Sequence, residues 1–267
     1  MEINGRTVEI VRLGVVDSTL QVLAQRLAQT PTLPDLSTVI ASHQHAGRGR
    51  SGRVWLNDAG SALLCATLVR IPEVYLSWVT PLAGLATLSS LADIDVKAHL
   101  KWPNDVLLGG KKIAGILCEH LTTHQTSPRT RLHAVAVGLG LNLGTVPTEA
   151  GPLAGALPIP ANTSATALKE LLLASFLRHL DRLIDLAEPQ VWRRLYRNAL
   201  SHLGQESTVR LPDGGLLHVT ATDVDHRGAL LATTNDGTQI TITAGDVDLP
   251  QYVPSLTTHH AQEGLGA

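Results

Sequence analysis

Apolar runs at Ser37 to Ala41, Ala62 to Val69, Ile113 to Leu121 and Leu132 to Leu141 read as strands, and the turns near them limit how they can pair. Gly109-Gly110, just after Val106 to Leu108, is a hairpin signal. Thr7 to Val11 and His99 to Lys101 add two shorter strands. Strands joined by tight turns predict a mixed, mostly antiparallel sheet with helices on one face, an α+β architecture. The first helix follows Asp17-Ser18-Thr19, which offers N-cap residues, and carries Leu20, Leu23, Ala24 and Leu27 at helical spacing to about Ala28. Pro31 and Pro34 end it. Trp78, Leu82, Leu85, Ala86 and Leu88 mark a long helix, and Ala165 to Ala187 and Gln190 to Leu200 mark two more. Thr122 to Arg131 is polar and is expected to be a mobile loop, and Gly144 to Ala161 reads as a Gly/Pro-rich loop.

After Leu203-Gly204 the pattern changes to short alternating strands, punctuated by Pro212-Asp213-Gly214-Gly215, Asp225-His226-Arg227-Gly228 and Asn235-Asp236-Gly237. That spacing predicts a small β-barrel of about 45 residues. The organisation expected is therefore a larger domain over 1–202, a small barrel over 203–250 and a disordered tail over 251–267. With 44% apolar residues there is enough for a core. With 16% charged residues and a net charge of −2, composition argues against a broadly basic nucleic-acid-binding surface but leaves room for local basic loops. Cys65 and Cys118, the only cysteines, read as buried free thiols in a reducing compartment. No signal-peptide pattern opens the chain, and no apolar run approaches the roughly 20 residues of a membrane span, so a cytoplasmic protein is expected.

Ser42 to Trp55 cannot be core. Gly47, Gly49 and Gly52 make it pliable, while Arg48, Arg50 and Arg53 fix three positive charges on it and Trp55 closes it. Such a loop can wrap an anion and set an aromatic face beside it, which suits an adenylate or a nucleotide phosphate. Gly47-x-Gly49-x-x-Gly52 spells a dinucleotide motif, but the turn-rich Val54 to Gly60 that follows offers no helix start. The bland alternative is a solvated basic loop.

Two more segments can carry chemistry. Pro103 forces an extended backbone at Trp102, so Asn104 and Asp105 sit at a strand break where side chains can leave the sheet. If Val106 to Leu108 and Ile113 to Leu117 form a hairpin, Asp105 meets Gly115 across it and Lys112 reaches the same place. A surface turn with two solvated lysines fits the spacing equally. In Val137-Gly138-Leu139-Gly140-Leu141-Asn142, alternating glycine clears one strand face, either for a ligand with Asn142 at its end or for close helix packing. Glu119, His120 and His124 lack the order and the helix of a metal motif, so no protein metal site is expected.

Taken together, Asp17-Ser18-Thr19, the Gln44 to Trp55 loop, Lys101 to Asp105, Lys112 to Leu117 and Gly138 to Asn142 resemble the biotin protein ligases over residues 10 to 248. The resemblance implies a class II aminoacyl-tRNA synthetase-like catalytic domain followed by an SH3-like barrel. It also implies a two-step reaction. Biotin and ATP give biotinyl-5′-AMP and pyrophosphate, and biotin then passes to one lysine of a biotin carboxyl carrier protein or domain of a carboxylase such as acetyl-CoA carboxylase. Carried over to this sequence, Arg48, Arg50, Lys112 and Asp105 are the catalytic residues. Ser18, Thr19, Gln44, Gly47, Arg50, Lys112 and Gly115 meet biotin, and Arg48, Arg53, Trp55, Asn104, Lys112 and Asn142 meet the nucleotide. Asp105 is expected to orient the acceptor amine or take its proton. Mg²⁺ is expected through the ATP phosphates rather than a protein cage.

The chain departs from the family pattern at Leu20, where Asn is usual, and at Ser61-Ala62, where a Gly/Ala-Asn pair is usual. About 16 residues precede Asp17, too few for a winged helix-turn-helix, so a monofunctional ligase with no DNA or membrane partner is expected, as monomer or homodimer. The competing readings are a lipoate or octanoate ligase of the same fold and a non-catalytic biotin sensor.

Overall fold

The computed structural model describes residues 1–127 and 130–249. The expected disordered tail over 251–267 lies outside the described residues. In chain order the elements are β1 (Glu2–Ile3), β2 (Arg6–Thr7), β3 (Ile10–Val16), α1 (Thr19–Gln29), β4 (Thr38–Gln44), β5 (Ala62–Pro72), α2 (Val79–Ala92), β6 (His99–Lys101), β7 (Asp105–Leu108), β8 (Lys111–Ser127), β9 (Thr130–Asn142), α3 (Ala165–Leu186) and α4 (Pro189–Ala199). Five strands follow: β10 (Glu206–Arg210), β11 (Leu216–Val224), β12 (Leu230–Thr234), β13 (Gln239–Ile242) and β14 (Asp246–Asp248).

A seven-stranded sheet runs in the order β3-β4-β5-β9-β8-β7-β6. β3 and β4 are parallel because α1 carries the chain back across the sheet between them, as a parallel pair requires. The other neighbours are antiparallel. Period-two alternation then sorts the core. Leu63, Cys65, Val69 and Ile71 of β5, with Val135, Val137, Leu139 and Leu141 of β9, join the cluster that includes α2 and α3. Ala66 and Leu68, with Ala134 and Ala136, pack under Leu20, Leu23 and Leu27 of α1. The helices thus cover both faces, not one. Adjacent strands that are apolar on both sides need a lid on each, and periodicity within a strand does not say which helix supplies it.

The structure corrects a second expectation. Residues 122–127, Thr130 and Arg131 are strand, extending β8 and β9 into a long antiparallel hairpin with irregular register near His120/Thr122 and Gln125/Ser127. The ladder bonds there need no apolar face, so the polar sequence hid it. Glu73–Ala92, a 3₁₀ turn leading into α2, is also long and apolar enough to span a membrane by composition, contrary to the expectation of no such run. Here it is a core segment, 61% buried. Cys65 is buried as expected, but Cys118 is only half-buried.

The second unit is a five-stranded antiparallel sheet, order β13-β12-β11-β10-β14. It shares one continuous core with the larger sheet: Val209, Val219, Val224, Leu230 and Val247 belong to the cluster of Trp78, Trp102 and Tyr196. Polar clasps fix the seam. Trp78 Nε1 donates to His226 O at 3.1 Å and Trp102 Nε1 to Gly228 O at 3.1 Å.

Trp192 on α4 anchors this packing. It is fully buried, donates Nε1 to Leu183 O at 2.8 Å, and lies edge-on to Tyr75 and against Trp78. Trp192→Ala should destabilise the protein by about 3–5 kcal/mol in urea unfolding. A loss below about 1 kcal/mol would contradict this account of α4.

Candidate active site

The floor of the site is made by absent side chains. On the α1 side of the sheet, Gly115 of β8 pairs with Gly140 of β9, with Gly138 two residues along. A Cβ on Gly140 would lie 2.6 Å from the Trp55 indole, and one on Gly115 would lie 2.9 Å from it, so only glycine admits the ring at both. A Cβ on Gly138 would lie 3.0 Å from Leu20. The cleared faces therefore hold Trp55 and Leu20, where open space was expected. Leu20, the departure from the family pattern, is an apolar part of the floor. Trp55 Nε1 is buried without a partner among the described residues.

Asp105 is buried beside this floor, opposite Gly115 as the hairpin reading required. Its Oδ1 lies 2.6 Å from Lys112 Nζ and its Oδ2 lies 3.0 Å from Lys101 Nζ. A bulge puts Lys112 there. In unbroken register Lys112 would pair with Leu108 and point to the other face; the shift after Val106 pairs it with Leu107 instead. Burial pushes the Asp105 carboxyl up, but the two lysines outweigh it and hold it below the usual carboxylate range. Lys112 also sits 5.7 Å from the centroid of the Trp55 ring, a cation–π distance.

The Gly/Arg segment is a small closed loop. Trp55 N donates to Gly47 O at 2.9 Å, Gly49 N to Arg53 O at 2.8 Å, and Arg48 bridges to Val54. Ser51 and Gly52 take φ of 53° and 73° to make the turn. Each arginine faces a carboxylate. Arg48 pairs with Glu119 at 2.8 Å, and Arg50 and Arg53 reach Asp246 at 3.4 and 2.8 Å. At the other end, Gln44 Oε1 accepts from Thr19 N at 2.8 Å and Oγ1 at 3.0 Å. Ser18 is the N-cap of α1 but makes no side-chain capping bond. Ser18 is one of the residues that line the cleft.

One cleft of about 290 Å³ gathers Ser18, Thr19, Gln44, Arg48, Arg50, Arg53, Trp55, Asn104, Lys112, Gly115 and Asn142. Two expected residues lie outside its lining. Asp105 is ion-paired to Lys112 beside it, and Gly47 stands behind Trp55, where a Cβ would meet Trp55 O at 2.5 Å. Asn104 Nδ2 donates to Ile116 O at 2.7 Å, and Asn142 Nδ2 to Gly155 O at 2.9 Å. The sequence reading missed Glu149, Ala150 and Ala154, which close the cleft from the Gly/Pro-rich loop. That loop is docked by Lys112 N to Leu153 O at 2.8 Å and Gly155 N to Lys112 O at 2.9 Å, pairing that leaves no periodic signal. No three His, Cys, Asp or Glu side chains gather as a metal site among the described residues.

Comparison with known proteins identifies the family. Residues 13–142 match the family model of the Biotin/lipoate A/B protein ligase family, and residues 202–249 match that of the Biotin protein ligase C terminal domain. The chain is 34% identical over 256 residues to the biotin–[acetyl-CoA-carboxylase] ligase of Mycobacterium tuberculosis, covering 88% of each. It is 28% identical over 243 residues to the bifunctional ligase/repressor BirA of Bacillus subtilis, covering 87% of this chain and 71% of the relative. Its fold is similar to the biotin protein ligase of Aquifex aeolicus solved with biotin and ATP, at a TM-score of 0.69 and 23% identity over 91% of this chain and 99% of the other. Similarity of this extent to a biotin ligase, across both units, means that this chain belongs to the biotin protein ligases.

Proposed function

We propose that the cleft over Gly115 and Gly140 makes biotinyl-5′-AMP from biotin and ATP and passes biotin to a lysine of a biotin carboxyl carrier domain. The observation that carries this reading is a set of cations at one floor, Lys112 below and Arg48, Arg50 and Arg53 at the rim, in a chain that belongs to the biotin ligases. A carboxylate oxygen of biotin attacks the α-phosphorus and pyrophosphate leaves. Both partners are anions, and charge grows on the phosphoryl oxygens, so fixed cations lower the barrier. Lys112, Arg48 and Arg50 take that role. Ser18, Thr19, Gln44 and backbone groups near Gly47 and Gly115 offer the paired donors and acceptors that a ureido ring needs, and Leu20 offers an apolar wall. Trp55 gives adenine a ring to lie against, with Arg53, Asn104 and Asn142 around the nucleotide. Mg²⁺ would enter with the ATP phosphates and neutralise part of their charge.

In the second step a neutral lysine amine attacks the acyl carbon, the acyl C–O bond to the phosphate breaks, AMP leaves, and the proton lost by the amine passes to solvent. Asp105 is a weak base for that amine, because its carboxyl is held low by two lysines. The role proposed is therefore orientation and charge, through Lys112, rather than proton removal.

Purified protein should catalyse biotin-dependent ATP–pyrophosphate exchange, and Lys112→Ala should lower it by about 10²–10³-fold. Exchange with lipoate or octanoate but not with biotin would overturn the reading. Asp105→Asn should slow transfer from preformed biotinyl-5′-AMP by about tenfold or more in single-turnover assays. Transfer at the wild-type rate would remove Asp105 from the mechanism.

A further inference from the structure

β9 runs lengthwise beneath the cleft, and Gly138, Gly140 and Asn142 line it in that order. Alternate residues of a strand lie about 7 Å apart, so the three mark one end, the middle and the other end. The middle is where Lys112 reaches in: Gly115 pairs with Gly140, and a Cβ on Gly115 would lie 3.3 Å from Lys112 Nζ. At the end away from Asn142 stands Leu20. A Cβ on Gly138 would lie 3.0 Å from Leu20 Cδ1, 3.1 Å from its Cδ2 and 3.1 Å from Leu117 O. Both methyls therefore rest against the bare strand, and Leu23, Leu27, Ala66, Ala134 and Ala136 belong to the same packed cluster. Leu20 is only 4% exposed, yet it lines the cleft. The polar side chains at this end are Ser18, Thr19 and Gln44. Gln44 Oε1 is taken up by Thr19 N and Oγ1, which turns Gln44 Nε2 toward Gly47.

An acid whose carboxylate meets Lys112 over Gly140, with the nucleotide toward Asn142, lays the rest of its length toward Gly138. We propose that Leu20 is a specificity-determining residue for that acid: Ser18, Thr19 and Gln44 take the ureido edge of the ring, while Leu20 is a dry wall for its thioether edge and selects a reduced sulfur over an oxidised one. The inference rests on the adenylation reading above. A thioether is a weak acceptor and loses little on leaving water. A sulfone carries two acceptor oxygens, on opposite faces of the ring. Against this wall an oxygen meets the Leu20 methyls and the Leu117 carbonyl, and neither donates a hydrogen bond, so the oxygen is desolvated without a partner. Leu20 cannot step back to admit water, because Gly138 and the cluster behind it already touch it. Asparagine, usual at this position in the family, branches at Cγ as leucine does but donates from Nδ2. The leucine thus changes the polarity of the wall and keeps its shape.

Leu20→Asn separates polarity from shape. In ATP–pyrophosphate exchange, the wild-type kcat/KM should be about 10–10²-fold lower with biotin sulfone than with biotin. Leu20→Asn should narrow that ratio about tenfold, and Leu20→Met, which stays apolar, should keep it. A substitution that merely loosened the fold would lower both acids alike and leave the ratio where it was. An unchanged ratio in Leu20→Asn would overturn the proposal, as would equal use of the two acids by the wild type. The same narrowing in Leu20→Met would overturn it too, because shape and not polarity would then be read. If Leu20→Asn does not fold, Leu20→Thr, which puts a hydroxyl donor in the wall, is read the same way. Each of these failures leaves wild-type exchange with biotin intact. Wild-type protein with no biotin-dependent exchange would instead overturn the adenylation reading, and this inference with it.

Discussion

A carboxylate as enclosed as Asp105, 11% exposed at its side chain, keeps its charge only beside compensating cations, and Lys112 and Lys101 supply two. Removing one partner from such a pair typically costs about 3–5 kcal/mol. The rest of the site is arranged around that necessity. The bulge after Val106 exists in effect to turn Lys112 toward Asp105, and the stem of Lys112 then crosses Gly115, where a Cβ would lie 3.2 Å from its Cε. Trp55 lies against the same lysine and over the same glycine. Lys101 carries the network on to Val247 in the second sheet.

This makes the two sheets one electrostatic unit as well as one core. Lys112, Asp105, Lys101 and the Val247 carbonyl form one chain of alternating polarity, and Arg53, Asp246 and Arg50 form another beside it. Four cations near one cleft would repel each other in the absence of ligand. Asp105, Asp246 and Glu119 pair with them and offset that repulsion.

Much of this was legible from the sequence because its signals are local. Gly109-Gly110 fixed the hairpin that sets Asp105 opposite Gly115, and Pro103 fixed the break before it. Glycine at 138 and 140 announced a cleared strand face. What filled that face was not legible: Trp55 and Leu20 arrive from other elements, and no spacing along β9 predicts them. The partners of the arginines were hidden for the same reason, since Asp246 lies almost 200 residues from Arg50, at |i−j| = 196. The strand residues 122–127, 130 and 131 escape a sequence reading because their side chains are polar, and strand prediction leans on an apolar face. Helices on both faces escaped because each helix shows its own stripe but not the side it covers.

The most direct test of the whole account is intact-mass and peptide-level mass spectrometry of an apo biotin carboxyl carrier domain incubated with this protein, ATP and biotin. The account predicts one biotinyl amide on a single lysine, dependent on ATP. A carrier that stays unmodified with biotin, yet gains a lipoyl or octanoyl group when those acids are supplied, would contradict it.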